Sequence, residues 1–398
     1  MYTRRQLFFK HNAQTSAFPP ALEIIRAEGC YLIDTSGMKY LDLISGISVS
    51  SLGHGNEEIR KAIHKQVDEH LHLMVYGEYI VSSQVDLVQT LTENLPQSLQ
   101  SVYLTNSGTE ATEGAMKLAK RHTGRTGFIS FKNAYHGSTQ GSLSICGNEK
   151  LKSAFRPLLP DHRIIDYNSM EQLQFIDENT AAVFIEPIQA EAGIILPEKG
   201  FLEKVRLRCN EQNAMLVFDE IQTGMGRTGQ LFAFNDSNVI PDILLLGKAF
   251  GGGMPLGAFV SSNEIMSKLS FDPSLGHLTT SGGHPVSCAA ALASLKILTR
   301  TDILVSVLKK EELFRTLLKH SLIKSVRGKG LLFAIEFENE TINQKVIQLC
   351  FEKGLLTDWF LFSPFCLRIA PPLTISDDEI RKACNIILEA IEKTLSET

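Results

Sequence analysis

The sequence has no apolar stretch approaching the ~20 residues that a helix needs to cross a bilayer, so no membrane span is expected. It has no CxxC pair. Its 7 cysteines (Cys30, Cys146, Cys209, Cys288, Cys350, Cys366, Cys384) are scattered and odd in number, which fits reduced thiols and excludes a disulfide framework or a zinc site. No metal is expected. Long runs of like charge are missing, and the net charge of −5 argues against nucleic acid as a partner. There is no repeat and no low-complexity tract, so a solenoid or a disordered chain is not expected. The opening MYTRRQLFFKHNAQ lacks the apolar core and the small-residue cleavage site of a secretion signal. It reads as an irregular lead-in to a cytoplasmic protein.

What is present is ordinary in bulk and specific in detail. The 398 residues, 43% hydrophobic and 21% charged, suit a large domain with a smaller one. The chain is organised around 216–258, LVFDEIQTGMGRTGQLFAFNDSNVIPDILLLGKAFGGGMPLGA. The short apolar runs at 216–218 and 243–246 read as strands buried on both faces, as in a parallel sheet. Each ends at a charge: Asp219-Glu220 after the first and Lys248 after the second. In open α/β sheets, ligands bind beyond the carboxyl ends of the strands. An anion and a cation therefore reach one sheet edge, beside the turn Gln222-Thr223-Gly224 and the glycines 251–253. A buried lysine loses its proton more readily than a free one and becomes a nucleophile that can form a Schiff base with an aldehyde. Pyridoxal phosphate uses such a lysine together with an acid on its ring nitrogen, a role that suits Asp219, and Gln222 can reach the ring hydroxyl.

DEIQTGMGRTG followed by LLLGKAFGGGMPLGA resembles the class III (omega) aminotransferases, and the likeness runs over nearly the whole chain. The resemblance implies an α/β protein of fold type I, aspartate-aminotransferase-like, with a mostly parallel sheet in the large domain and a smaller α/β domain. It implies an N-terminal segment at 1–45 packed on the small domain, a large cofactor-binding domain at 46–290 and a small domain at 291–398. By the same resemblance Ser107, Gly108 and Thr109, at a helix start after the strand 102–105, cradle the cofactor phosphate. A bare Ser or Thr there would be an ordinary helix cap; amides, hydroxyls and a glycine together also suit an anion. Tyr135 would stack on the cofactor ring, His136 would be a further cofactor contact, Glu186 would lie behind the cofactor, and Thr280 would reach across a homodimer interface to the neighbouring subunit's phosphate. Glu191 and Arg368 resemble a gate pair, Arg368 taking the carboxylate of 2-oxoglutarate, and Thr279 falls at a substrate contact.

The implied reaction is ping-pong transfer of a terminal amine from an ornithine-like donor, N-acetylornithine or ornithine, to a 2-oxo acid, as in arginine-related metabolism. Ser138 departs from that branch, which carries an arginine here for the donor's α-carboxylate. A serine cannot make that bidentate charge-assisted contact. A diamine or ω-amine donor such as putrescine or 4-aminobutyrate is therefore the alternative. Further alternatives are an aminomutase that recycles its own product and a cofactor-binding protein without catalysis.

Overall fold

The computed structural model describes residues 2–75 and 77–397. Strands β1 (Ile24–Glu28), β2 (Tyr31–Asp34) and β3 (Lys39–Asp42) open the chain. Strands β4 (Ser101–Thr105), β5 (Gly127–Phe131), β6 (His162–Ile165), β7 (Thr180–Ile185), β8 (Met215–Asp219), β9 (Ile243–Leu246) and β10 (Gly257–Ser261) form a seven-stranded sheet in the order β4-β10-β9-β8-β7-β5-β6. Strands β11 (Ser325–Lys329), β12 (Leu332–Glu336), β13 (Leu355–Leu356), β14 (Trp359–Phe360) and β15 (Ser363–Ile369) follow.

The apolar runs become β7, β8 and β9, each buried along its whole length and paired in parallel register. Their side chains alternate between two cores. Val183, Leu216, Phe218 and Leu244 join one; Phe184, Val217, Ile243 and Leu245 join the other. This is why the sequence shows no polar alternation: helices cover both faces. Residues Gly108–Thr123 pack on one side through Ala111, Ala115 and Leu118. Residues Phe201–Gln212 and Pro285–Arg300 pack on the other through Val205, Cys209, Ala291 and Leu295. Within the seven-stranded sheet β10 runs antiparallel to both of its neighbours, β4 and β9.

Strand β3 pairs with β13, so the first strands share a sheet with the C-terminal part of the chain. Strands β11, β12, β15 and β14 form a third, antiparallel sheet. The stretch 328–337 comprises the end of β11, a turn at Gly330 and β12. The lead-in expected to be irregular holds a helix, Arg4–His11, started by a reciprocal Thr3–Gln6 capping box. It buries no residue, so it carries no apolar stripe that the sequence could reveal. All 7 cysteines are buried and unpaired. Among the described residues no helix is long and apolar enough to cross a membrane, and no cluster of ligating side chains suits a metal.

Candidate active site

Five strands deliver their carboxyl ends to one edge of the seven-stranded sheet. The segments that follow them bring Gly108 and Thr109 (after β4), Tyr135, His136 and Ser138 (after β5), Glu186 and Glu191 (after β7), Asp219 and Gln222 (after β8), and Lys248 (after β9) around one cavity of about 280 Å³. The expected juxtaposition of Asp219 and Lys248 is there.

The anionic wall is held together by hydrogen bonds within the protein. Asp219 is buried, with Oδ2 2.7 Å from His136 Nδ1, and its Oδ1 accepts the Ile221 amide at 3.0 Å. Burial alone would drive protons off His136, but the Asp219 hydrogen bond and charge outweigh it and raise the imidazole's pKa. Glu186, also buried, accepts the amides of Ala190 and Tyr135 at 2.8 and 3.3 Å. Burial pushes its carboxyl up to about 7, with the charge of Asp219 adding to the effect. Across the cavity Lys248 Nζ donates to Gln222 Oε1 at 2.8 Å. Burial lowers this amine's pKa, and Glu191 and Asp219 pull it partly back. Lys248 has φ +48°, a left-handed conformation uncommon for a side chain of this size.

The helix start at Gly108 is close-fitting. A Cβ on Gly108 would lie 2.7 Å from the tip of Ile221, and one on Gly247 would lie 3.2 Å from Gly108 Cα. A side chain at either position would force its neighbours to shift. Ser107 Oγ accepts the Glu110 amide at 3.3 Å and its carbonyl accepts the Ala111 amide, so Ser107 serves as the helix cap and does not line the cavity. Its hydroxyl oxygen accepts from the helix, and its O–H is still able to donate. The amides of Gly108 and Thr109, in the first helical turn, have no intrahelical acceptor and belong to cavity-lining residues.

Arg368, on β15, stands behind Glu191 rather than in the cavity lining. The two are buried and bidentate, with Nη1 and Nη2 donating to the carboxylate at 2.8 and 2.9 Å. Burial would raise the Glu191 carboxyl, yet Arg368 holds it below its ordinary value. Sequence reasoning missed a third member: Asp358, whose Oδ1 accepts Arg368 Nε–H at 2.8 Å. Its only trace in the sequence is one acid inside the apolar run LLTDWFLF.

Other expected residues lie elsewhere. Ser138 is exposed at the cavity mouth, its hydroxyl 2.8 Å from that of Tyr135. Thr279 accepts from Asn106 Nδ2 at 2.8 Å and lines a separate cavity of about 980 Å³ with Tyr103 and Val102. Thr280 is exposed and does not reach this chain's own cavity.

Two buried nitrogens, His136 Nε2 and Gln222 Nε2, have no hydrogen-bond partner among the described residues. Unpaired buried donors are uncommon without a ligand or water. They stand beside an amine of lowered pKa, a fixed carboxylate and an anion-binding helix start. This set fits a phosphate-bearing pyridine aldehyde.

The sequence profile described as Aminotransferase class-III matches residues 12–391. The chain is 36% identical to the acetylornithine aminotransferase of Methanopyrus kandleri over 391 residues, covering 97% of this chain and 98% of that one. It is 38% identical to the acetylornithine aminotransferase of Clostridium acetobutylicum over 380 residues, 92% and 95% of the two chains. The ornithine aminotransferase structure from Toxoplasma gondii ME49 superposes with a TM-score of 0.92 at 30% identity, over 100% of this chain and 97% of that one.

Proposed function

Since the chain belongs to the class III aminotransferases, an α/β family of transaminases, we propose that it holds pyridoxal 5'-phosphate on Lys248. We propose that it moves the terminal amine of an ornithine-like donor, N-acetylornithine or ornithine, to 2-oxoglutarate. The observation that carries the acceptor half is the buried Glu191–Arg368 pair at the cavity wall. A guanidinium that a glutamate can mask or release suits an enzyme that admits a terminal amine and then, in turn, a second carboxylate. The curated relatives named for acetylornithine support the donor.

Bound there, pyridoxal phosphate supplies an electron sink for the carbon that carries the amine. The protein's own residues supply the rest. Gly108 and Thr109 would hold the phosphate with backbone amides and the helix dipole. Asp219, fixed by His136 and the Ile221 amide, would keep a proton on the ring nitrogen. Gln222 would meet the ring hydroxyl and Tyr135 the ring face. Burial lowers the pKa of Lys248, which favours a neutral Nζ able to take the proton from the donor carbon and pass it on as the amine is transferred.

Exposed Thr280 fits a homodimer in which each chain completes its partner's phosphate site. With Arg4–His11 burying nothing on its own chain, a second subunit would also have a segment to cover. The division at 45 and 290 and a cytoplasmic location belong to the same reading.

Ser138 favours a second reading. Among the described residues lining the cavity, Lys248 is the only lysine or arginine, and Ser138 is bonded to Tyr135. A donor without an α-carboxylate, such as putrescine or 4-aminobutyrate, would need no further cation. A half-reaction screen decides between them by following the visible band of the cofactor-loaded protein with each donor, Lys248→Ala serving as blank. Bleaching by N-acetylornithine or ornithine, reversed by 2-oxoglutarate, is the expected result. Bleaching by putrescine or 4-aminobutyrate alone would overturn the donor assignment.

A further inference from the structure

Arg368 is gripped from two sides, and the two grips differ in kind. On the cavity side, Glu191 takes Nη1 and Nη2 and also accepts the Leu361 amide at 3.1 Å. Glu191 stands in the loop after β7, two residues before Gly193 with its φ of +88°. On the far side, the segment 357–360 wraps the arginine at both backbone and side chain. Asp358 Oδ1 accepts Nε–H at 2.8 Å, the Trp359 carbonyl accepts Nη2–H at 3.1 Å, and the guanidinium carbon lies 4.4 Å from the Phe360 ring centroid. The Asp358 carbonyl also accepts the Arg368 amide at 2.8 Å, and the Thr357 hydroxyl donates to the Arg368 carbonyl at 2.5 Å. This second grip is built into the edge of a sheet; the first sits on a loop.

We infer that Asp358 is the positioning residue of the acceptor site. It fixes the Nε edge of Arg368, so that Nη1 and Nη2 stay aimed at the cavity as a fork for one carboxylate when Glu191 moves aside. The inference rests on the proposed role of Arg368 as the anchor of a 2-oxo diacid. Its geometry is that of a fork with one edge locked. A guanidinium offers donors on fixed edges, and two parallel bonds to a carboxylate require the fork to face it squarely. Without Asp358, the Nε–H loses its acceptor at a buried residue, and one oxygen of an incoming carboxylate can satisfy that edge instead. The fork then presents two competing faces. Burial pushes the Asp358 carboxyl up to about 6 even with Arg368 drawing it back, so the fold retains an acid here despite its desolvation.

The test uses the cofactor-loaded enzyme and reads its two half-reactions separately. Asp358→Ala should raise the KM for 2-oxoglutarate by about tenfold or more, the loss of roughly one charge-assisted bond. The donor half-reaction, in which Arg368 stays masked by Glu191, should stay within about twofold, the scale of a few tenths of a kcal/mol. Asp358→Asn keeps an oxygen that can accept Nε–H and should recover most of the acceptor affinity. If the alanine variant does not fold, Asp358→Ser takes its place, since its hydroxyl is too short to reach Nε. An unchanged KM for 2-oxoglutarate, equal damage to both half-reactions, or an asparagine variant as impaired as alanine would each overturn the positioning role. The wild type is checked first: if it uses pyruvate as readily as 2-oxoglutarate, the acceptor reading itself fails and this inference falls with it. An intact diacid preference with an indifferent Asp358→Ala overturns the inference alone.

Discussion

Replacing Glu191 by glutamine is the sharpest perturbation of the proposed two-substrate cycle. The carboxylate accepts three bonds: Nη1–H at 2.8 Å, Nη2–H at 2.9 Å and the Leu361 amide at 3.1 Å. Glutamine has one oxygen and one amide nitrogen, so one guanidinium N–H would face another donor. The surviving bond loses its charge assistance, while Asp358 still neutralises Arg368 from the other side. Hydrogen bonds to charged groups contribute about 1.5–3 kcal/mol each, so the closed arrangement should lose about 2–3 kcal/mol, a factor of roughly 30–150. An open gate leaves Arg368 available during the donor phase. Glutamate, which carries the second carboxylate, should then compete with the terminal-amine donor. Single-turnover stopped-flow on the loaded enzyme gives the rate-over-affinity ratio for glutamate against N-acetylornithine. That ratio should rise by about tenfold or more, part of the calculated shift being hidden by whatever open population the wild type already has. A ratio unchanged within about twofold, in a folded and cofactor-loaded variant, would refute the masking role of Glu191.

Two further outcomes bear on stability and on the phosphate site. Arg368→Met leaves Glu191 and Asp358 buried without their cation and should cost about 3–5 kcal/mol, read from denaturant midpoints. Because the native Glu191 carboxyl lies below its ordinary 4.5, its stabilising contribution is complete above that value and is lost as pH falls through the lower native one. The gap between wild type and variant should therefore hold at neutral pH and close in acid. Gly257→Ala would place a Cβ 2.3 Å from the Ser107 carbonyl oxygen, on backbone that cannot step aside without moving the helix start. It should lower stability by about 1–3 kcal/mol and speed the loss of cofactor on dialysis, both absent if the β4–β10 pairing simply relaxes.

Some of this architecture is legible in the residues, and some only in three dimensions. Strands β8 and β9 announce themselves because burial on both faces removes every polar residue until the charge at the carboxyl end. Asp219 and Lys248 are legible for the same reason: each is the first ionisable side chain, or nearly so, beyond such a run. Arg368 has no such marker. Its strand is antiparallel, and only likeness to a family picks it out from ordinary strand charges. Asp358 escapes even that, because its meaning is a bond from the segment just before β14 to a side chain on β15, ten residues away. The helix Arg4–His11 is invisible to periodicity because it buries nothing, and its signal is the capping box alone. Ser107 is ambiguous in the opposite way: as a residue type it suits both a cap and a phosphate ligand, and its Oγ accepts the Glu110 amide as a cap while its O–H stays able to donate.

The burial of the cysteines gives the molecule a practical property. Burial pushes the thiols of Cys30, Cys209, Cys288, Cys350 and Cys384 up to about 12 and that of Cys146 to about 11, and raises that of Cys366 as well. Thiolate, the species that alkylating dyes attack, is therefore scarce on the native protein at neutral pH. A cysteine introduced at exposed Ser138 would stand alone as a reactive thiol, at the mouth of the cavity and clear of the sheet. The native chain is thus already a silent background for a single-site fluorescent label, and movement at the entrance could be watched by light without first removing any of its own cysteines.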